Sequence, residues 1–221
     1  MIRVAITDDH TIFRKSLSLL IKTFGFAEVV IEASGGAELL EQLETKQADI
    51  VLLDLQMPGT DGFETCTMLH CKFPEIKILI LSHLDSINTI SKVMELGVDG
   101  YLTKSVDPLE LRHALLFLED KGFYFERSLT NVIAEIIKSG IAVKDCKPNI
   151  SFTDREKEIM ILAAKEYSGK EIGDMLSISL RTVEVHKKNL MEKTNSRNFI
   201  GVILHALSNN SISLDKIRPE R

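Results

Sequence analysis

The sequence predicts an α/β protein: a doubly wound, five-stranded parallel sheet followed by a small all-α unit of four helices. Three observations carry that expectation. Short runs rich in Val, Ile and Leu alternate with helix-like stretches over residues 1–120, the pattern of a parallel sheet covered on both faces. From Thr153 onward the apolar spacing is helical throughout. Asp8, Asp9, Asp54, Ser82 and Lys104 each end or closely follow an apolar run, where such sheets form their ligand sites.

The elements follow in order. Strand Ile2–Thr7 leads to an amphipathic helix with Ile12, Phe13, Leu17 and Leu20 on its buried stripe. Strand Glu28–Ala33 precedes a helix around Ala37–Glu44. Strand Ile50–Leu53 feeds the turn Gln56-Met57-Pro58-Gly59 and then a helix around Gly62–Cys71. Strand Ile76–Leu81 precedes helix Ile87–Leu96, which Gly97 stops. Strand Gly100–Leu102 precedes a helix that opens at Asp107-Pro108, a cap followed by the residue that suits a first turn. Five such units without a sixth favour the flavodoxin-like order, with its switch point between strands one and three. Asp8, Asp9 and Asp54 fall at that point.

Apolar content of 44% and charged content of 27% are ordinary for a globular protein. No apolar run approaches the roughly 20 residues of a membrane-spanning helix, and strand one starts too close to Met1 for a signal peptide. Cys66, Cys71 and Cys146 are odd in number and lack metal spacing, so a cytoplasmic setting without a membrane partner is expected. Charge is uneven. Residues 1–125 hold 11 Lys and Arg against 19 Asp and Glu, a net of −8, whereas residues 151–221 hold 12 against 10, a net of +2. Two different tasks are implied, and the asymmetry alone is weak evidence for nucleic acid.

Between the halves the βα rhythm stops. Leu129, Ile133, Ile136 and Ile137 have helical spacing, and the irregular stretch Lys144–Asn149 contains Pro148. The short helix reads equally as a connector or as the completion of the first core. The expected divisions are a first domain over 1–122, a linker over 123–149, a helical domain over 150–212 and a flexible tail over 213–221.

Three carboxylates close together repel unless a cation sits among them, and Mg²⁺ prefers oxygen ligands. A metal would also neutralise an incoming phosphoryl group, leaving one carboxylate free to act as nucleophile. Lys104 would meet a phosphoryl oxygen as a point charge, and Ser82 would donate a hydrogen bond to another. These residues resemble a known family. Asp8-Asp9-His10, the run Val51-Leu52-Leu53-Asp54-Leu55-Gln56-Met57-Pro58-Gly59-Thr60-Asp61-Gly62, Ser82 and Tyr101-Leu102-Thr103-Lys104 look like the receiver domain of bacterial response regulators. The resemblance implies that Asp54 is phosphorylated by a histidine kinase. It further implies Mg²⁺ (or Mn²⁺) held by Asp9, Asp54 and the backbone carbonyl of Gln56, with Asp8 assisting. Ser82 and Tyr101 are implied to be switch residues, although Tyr101 by itself reads first as a packed strand aromatic. His83 stands where the family usually has a small residue, so it either obstructs the hydrolytic water or points outward.

In the second half, Thr153 followed by Glu156 forms a capping box before Ile159, Ile161, Leu162 and Ala163. A short helix fits Gly169–Leu176; a third, capped by Ser179, runs to about Lys193, and a fourth spans Asn198–Leu207. This is a helix-turn-helix arrangement. Val183, Leu190 and Met191, with His186 between them, form the expected inward stripe of the third helix. Arg181, Glu184, Val185 and Lys188 lie on another face that could enter a major groove, with Lys188 and Val185 near base edges. Arg181, Lys187 and Thr182 could reach phosphates. Thr153-Asp154-Arg155-Glu156, Ser168-Gly169-Lys170-Glu171-Ile172 and Ser179–His186 followed by Lys193 resemble the LuxR-type helix-turn-helix, which adds Lys170 to the DNA contacts. Two departures stand out, Gly173 for the usual Ala and Asn195-Ser196 for the usual Gly-Val.

Together the halves resemble a NarL/FixJ-type response regulator, a transcription factor rather than an enzyme. The resemblance implies a homodimer when phosphorylated, bound to double-stranded DNA with paired half-sites. In this family the fourth helix commonly supplies the dimer contact, whereas Ile200, Ile203, Leu204 and Leu207 read equally as core. The rival is an aspartate-nucleophile phosphohydrolase. Such enzymes place a second Asp two residues after the nucleophile as general acid, and Gln56 has no proton to give up.

Overall fold

Four consecutive apolar residues, Ile50–Leu53, form a central strand buried along its whole length, as a sheet covered on both faces requires. The computed structural model describes residues 1–57, 61–83, 86–125, 150–165 and 167–217. The chain divides into two compact units, Met1–Thr89 with Val98–Glu126 and Ile90–Gly97 with Arg127–Arg221.

The parallel sheet comprises β1 (Ile2–Thr7), β2 (Ala27–Ala33), β3 (Ile50–Leu53), β4 (Lys77–Ser82) and β5 (Gly100–Thr103) in the order β2-β1-β3-β4-β5, with a two-residue strand β6 (Tyr124–Phe125) beyond β5. Chain direction across the sheet reverses at β1, so the β1/β3 crevice is the switch point expected. β6 carries the sheet past the predicted boundary at residue 122. It was too short to leave a periodic signal. The predicted connector helix lies outside the described residues.

The helices that alternate with these strands along the chain are α1 (Thr11–Thr23), α2 (Gly36–Leu43), α3 (Gly62–Lys72), α4 (Ile87–Glu95) and α5 (Pro108–Lys121). Helix α1 buries Leu17, Ser18 and Ile21, with Phe13 and Leu20 partly buried against the same core. Ile12 is a correction: it is 85% exposed. It precedes Leu17 by five residues, about 140° around a helix of 3.6 residues per turn, and so leaves the stripe. Asp107 caps α5 by accepting from Leu109 N at 2.8 Å, as the sequence indicated. Gly62 opens α3 against the backbone of the preceding segment: a Cβ there would stand 2.5 Å from the Asp54 carbonyl oxygen. Only glycine lets α3 begin so close to the strand end carrying Asp54.

The second part contains α6 (Asp154–Ala164), α7 (Gly169–Leu176), α8 (Leu180–Thr194) and α9 (Phe199–Ser208). Both α6 and α7 start with a full capping box, Thr153 with Glu156 and Ser168 with Glu171. Both departures from the usual LuxR-type residues have local reasons. A Cβ at Gly173 would sit 2.7 Å from the Ile178 carbonyl oxygen, so glycine permits the close turn into α8. Asn195 closes α8 in the left-handed conformation at φ 54°, which asparagine tolerates better than other side-chain-bearing residues.

Helix α9 buries Val202, Ile203, Leu204 and Leu207, so for the last three the core reading holds over a free dimer stripe. Within the predicted tail 213–221, Leu214–Ile217 form a helical turn, α10, and residues 218–221 lie outside the described residues.

Glu156 ties this part together. It accepts from Thr153 N at 2.7 Å and from Lys193 Nζ at 2.8 Å, joining the start of α6 to the end of α8. Burial alone would raise its carboxyl, but Lys193 and the Thr153 amide outweigh burial and hold it below the ordinary value of 4.5. Its stabilising contribution is therefore present above pH 4.5 and is lost as pH falls through the lowered folded value. Glu156→Gln keeps the cap but loses the ion pair. The expected cost is about 1 kcal/mol at neutral pH, shrinking to nothing in acid. Urea melts across pH 3–7 check this, and parallel curves for the two proteins would refute it.

Candidate functional site

The sheet ladder runs past the strands into the site. Thr7 pairs with Leu53 in register, and Asp54 N donates to the Thr7 carbonyl at 3.0 Å, so Asp8 and Asp54 stand side by side. Ser82 pairs with Thr103, and Lys104 N donates to the Ser82 carbonyl at 2.9 Å. Backbone pairing therefore places the predicted acids, hydroxyl and ammonium at one sheet edge.

Lys104 reaches both acids. Its Nζ lies 2.6 Å from Asp54 Oδ2 and 2.7 Å from Asp8 Oδ2, and all three side chains are nearly inaccessible to solvent. The ammonium also sits 5.0 Å from the centre of the Phe13 ring. Burial would depress the lysine, but its bonds to Asp54 and Asp8 prevail and hold it above its ordinary value. Asp54 Oδ1 accepts from Gln56 N at 3.1 Å, and Asp8 Oδ1 accepts from His10 N at 2.8 Å.

Asp9 is less buried, and its Oδ1 lies 2.9 Å from His10 Nδ1. One potential ligand atom from each of Asp8, Asp9, His10 and Asp54 falls within 4.8 Å of the others. Three carboxylates around a point suit a hard divalent cation such as Mg²⁺. Sequence reading passed over His10, whose position directly after the acid pair was the available signal.

Ser82 and Tyr101 are both fully buried, Tyr101 being one of the largest such side chains in the sheet. His83 resolves toward the outward alternative: it is exposed and borders, with His10, Ile12, Phe13, Ser16 and Lys104, a depression of about 360 Å³. If that depression is a route to the acids, His83→Ala is expected to change the lifetime of a phosphoryl group held there, and equal dephosphorylation rates in the two proteins would remove the idea.

On α8 the buried stripe is Val183, Lys187, Leu190 and Thr194. Lys187, predicted to reach phosphates, is a correction. Its side chain is 9% exposed, with Nζ 5.7 Å from the Phe199 ring centre and 3.4 Å from Glu184 Oε1. Spacing puts its stem inward while the charged end works outward to Glu184. His186 and Met191, expected inward, are only half-buried. Arg181, Glu184, Val185 and Lys188 are exposed, as is Lys170 on α7, while Thr182 is half-buried.

Residues 4–116 match the family described as Response regulator receiver domain, and residues 150–206 match Bacterial regulatory proteins, luxR family. The chain belongs to the NarL/FixJ-type bacterial response regulators, which join a receiver to a LuxR-type helix-turn-helix and act as transcription regulators. Among its relatives, the transcriptional regulatory protein DegU of Brevibacillus brevis is 30% identical, with 94% of each chain covered. The oxygen regulatory protein NreC of Staphylococcus carnosus is also 30% identical, over 93% of this chain and 96% of that one. The Salmonella typhimurium RcsB response regulator is similar in structure, with a TM-score of 0.58 at 26% identity over 91% of this chain and 96% of that one. RcsB of Salmonella enterica serovar Typhimurium bound to promoter rprA with the phosphomimetic BeF₃⁻ has a TM-score of 0.57 at 26% identity, covering 94% and 99%. Among the described residues no helix is long and apolar enough to cross a membrane.

Proposed function

We propose that this response regulator carries its signal as a phosphoryl group on Asp54, donated by a histidine kinase in the cytoplasm. The observation that carries the reading is the buried meeting of Asp8, Asp54 and Lys104 at the switch point. The Asp54 carboxylate attacks phosphorus, the bond from phosphorus to the kinase imidazole breaks, and an acyl phosphate remains. Mg²⁺ (or Mn²⁺), held by Asp9, Asp54 and the Gln56 carbonyl with Asp8 assisting, would offset the phosphoryl charge. Lys104 transfers its contact from the carboxylate to a phosphoryl oxygen, and Ser82 donates to a second. Movement of Ser82 and rearrangement of Tyr101 shift a pre-existing equilibrium toward a DNA-binding homodimer. Gln56 cannot serve as the general acid a phosphohydrolase needs, which favours a lasting signal over turnover.

The dimer reads paired half-sites in double-stranded DNA. Lys170, Arg181 and Thr182 meet phosphates, while Glu184, Val185 and Lys188 face base edges, Val185 suiting a thymine methyl. The test compares wild type with Asp54→Ala, both with Mg²⁺, with and without a small phosphodonor, on DNA selected from random sequence. Enhanced binding in wild type alone is expected. Equal binding in all four cases would sever phosphate from DNA.

A further inference from the structure

Glu184 is an acid on a surface read as meeting polyanionic DNA. It stands one turn into α8, between Arg181 and Lys188 on the exposed face, with 57% of its side chain open to solvent. A carboxylate there is repelled by every nearby phosphate, so it weakens sequence-independent affinity. Its carboxylate nevertheless has two neighbours. Oε1 lies 3.4 Å from Nζ of the buried Lys187, which sits beside the Phe199 ring. A Cβ placed on Gly169 would stand 2.8 Å from the same oxygen, so the carboxylate leans on the opening turn of α7. A buried lysine whose charged end is directed at this one acid offsets part of its charge and limits its rotamers.

An ionised carboxylate only accepts hydrogen bonds. On the major-groove edges, guanine offers two acceptors and thymine an acceptor and a methyl, all unfavourable to it. Adenine sets its amino group beside the acceptor N7, an arrangement suited to an amide. Cytosine alone presents its N4 amino donor without an acceptor on its own edge. We propose that Glu184 is a specificity-determining residue that selects cytosine at one position of each half-site. This rests on the DNA-binding reading above. Lys187 is its positioning partner from beneath.

The experiment selects duplexes from a random pool with full-length wild type, Glu184→Gln and Glu184→Lys, each with Mg²⁺ and a small phosphodonor. Single-base variants of each selected site are then titrated at two salt concentrations. Wild type is expected to require cytosine at one half-site position and to lose roughly 5- to 150-fold when it is replaced. Glu184→Gln should move that preference to adenine and Glu184→Lys to guanine, with the remaining positions unchanged. Identical selected sequences for the three proteins would overturn the proposal while leaving DNA binding intact. Wild type that enriches no duplex and shows no salt-dependent binding would overturn the DNA-binding reading, and this inference with it.

Discussion

Lys104→Met is expected to destabilise the sheet unit by about 3–5 kcal/mol in metal-free buffer. Asp8 and Asp54 are each 2% exposed, and the Lys104 ammonium lies within 2.7 Å of both. Methionine keeps an apolar stem against Phe13 but deletes the charge, leaving two buried carboxylates facing each other. Repulsion at that distance in a poorly solvated pocket is the dominant cost. Mg²⁺ should restore much of the loss, because a dication among the acids replaces the missing positive charge. The pH dependence has a definite sign. A lysine raised above 10.5 contributes fully below that value and loses its contribution as pH rises through the folded one, so the two proteins converge in strong alkali. Urea melts with and without Mg²⁺ check both parts. A variant within 1 kcal/mol of wild type without metal would show that the pocket tolerates its acids unaided.

The second large effect is on DNA. Lys170→Ala combined with Arg181→Ala should remove four phosphate contacts from a dimer. Each contact contributes about 0.9 to the slope of log affinity against log salt, or roughly 5-fold at physiological ionic strength. The double variant should therefore bind on the order of 10³-fold more weakly, with a slope shallower by about 3.6. Its ranking of DNA sequences should stay that of wild type, since neither residue is assigned a base. An unchanged salt slope would place the phosphate contacts elsewhere.

These expectations rest on residues whose positions were legible to different degrees. Strand Ile50–Leu53 was readable to the residue because four adjacent apolar side chains have no alternative to burial on both faces. The caps at Asp107, Thr153 and Ser179 were readable because their side chains serve neighbouring amides and need no tertiary context. Ile12 and Lys187 were misread for opposite reasons. The stripe read for α1 was drawn wide enough to include Ile12, although its angle from Leu17 turns it to solvent. Charge placed a lysine outside, although its angle on α8 turns its stem inward and only its length returns the ammonium to Glu184. The angle around the helix decides both. The meeting of Lys104 with Asp8 and Asp54 depends on strand order, which local pattern limits but does not determine. The packing of Lys104 over Phe13 required the assembled edge, whereas the place of His10 beside the acids was already signalled by its position directly after Asp8 and Asp9.

The amides of Asp54 and Lys104 are bonded to the Thr7 and Ser82 carbonyls, so both side chains leave from the end of a core strand ladder, the kind of element that opens least in local fluctuations. In the proposed phosphorylation of Asp54 that frame is expected to hold while side chains exchange partners above it. Such a receiver would be a relay with fixed mountings and movable contacts. Mutations that adjust how often it fires without a kinase should therefore cluster among buried side chains around the sheet edge, not in the backbone turns that hold it.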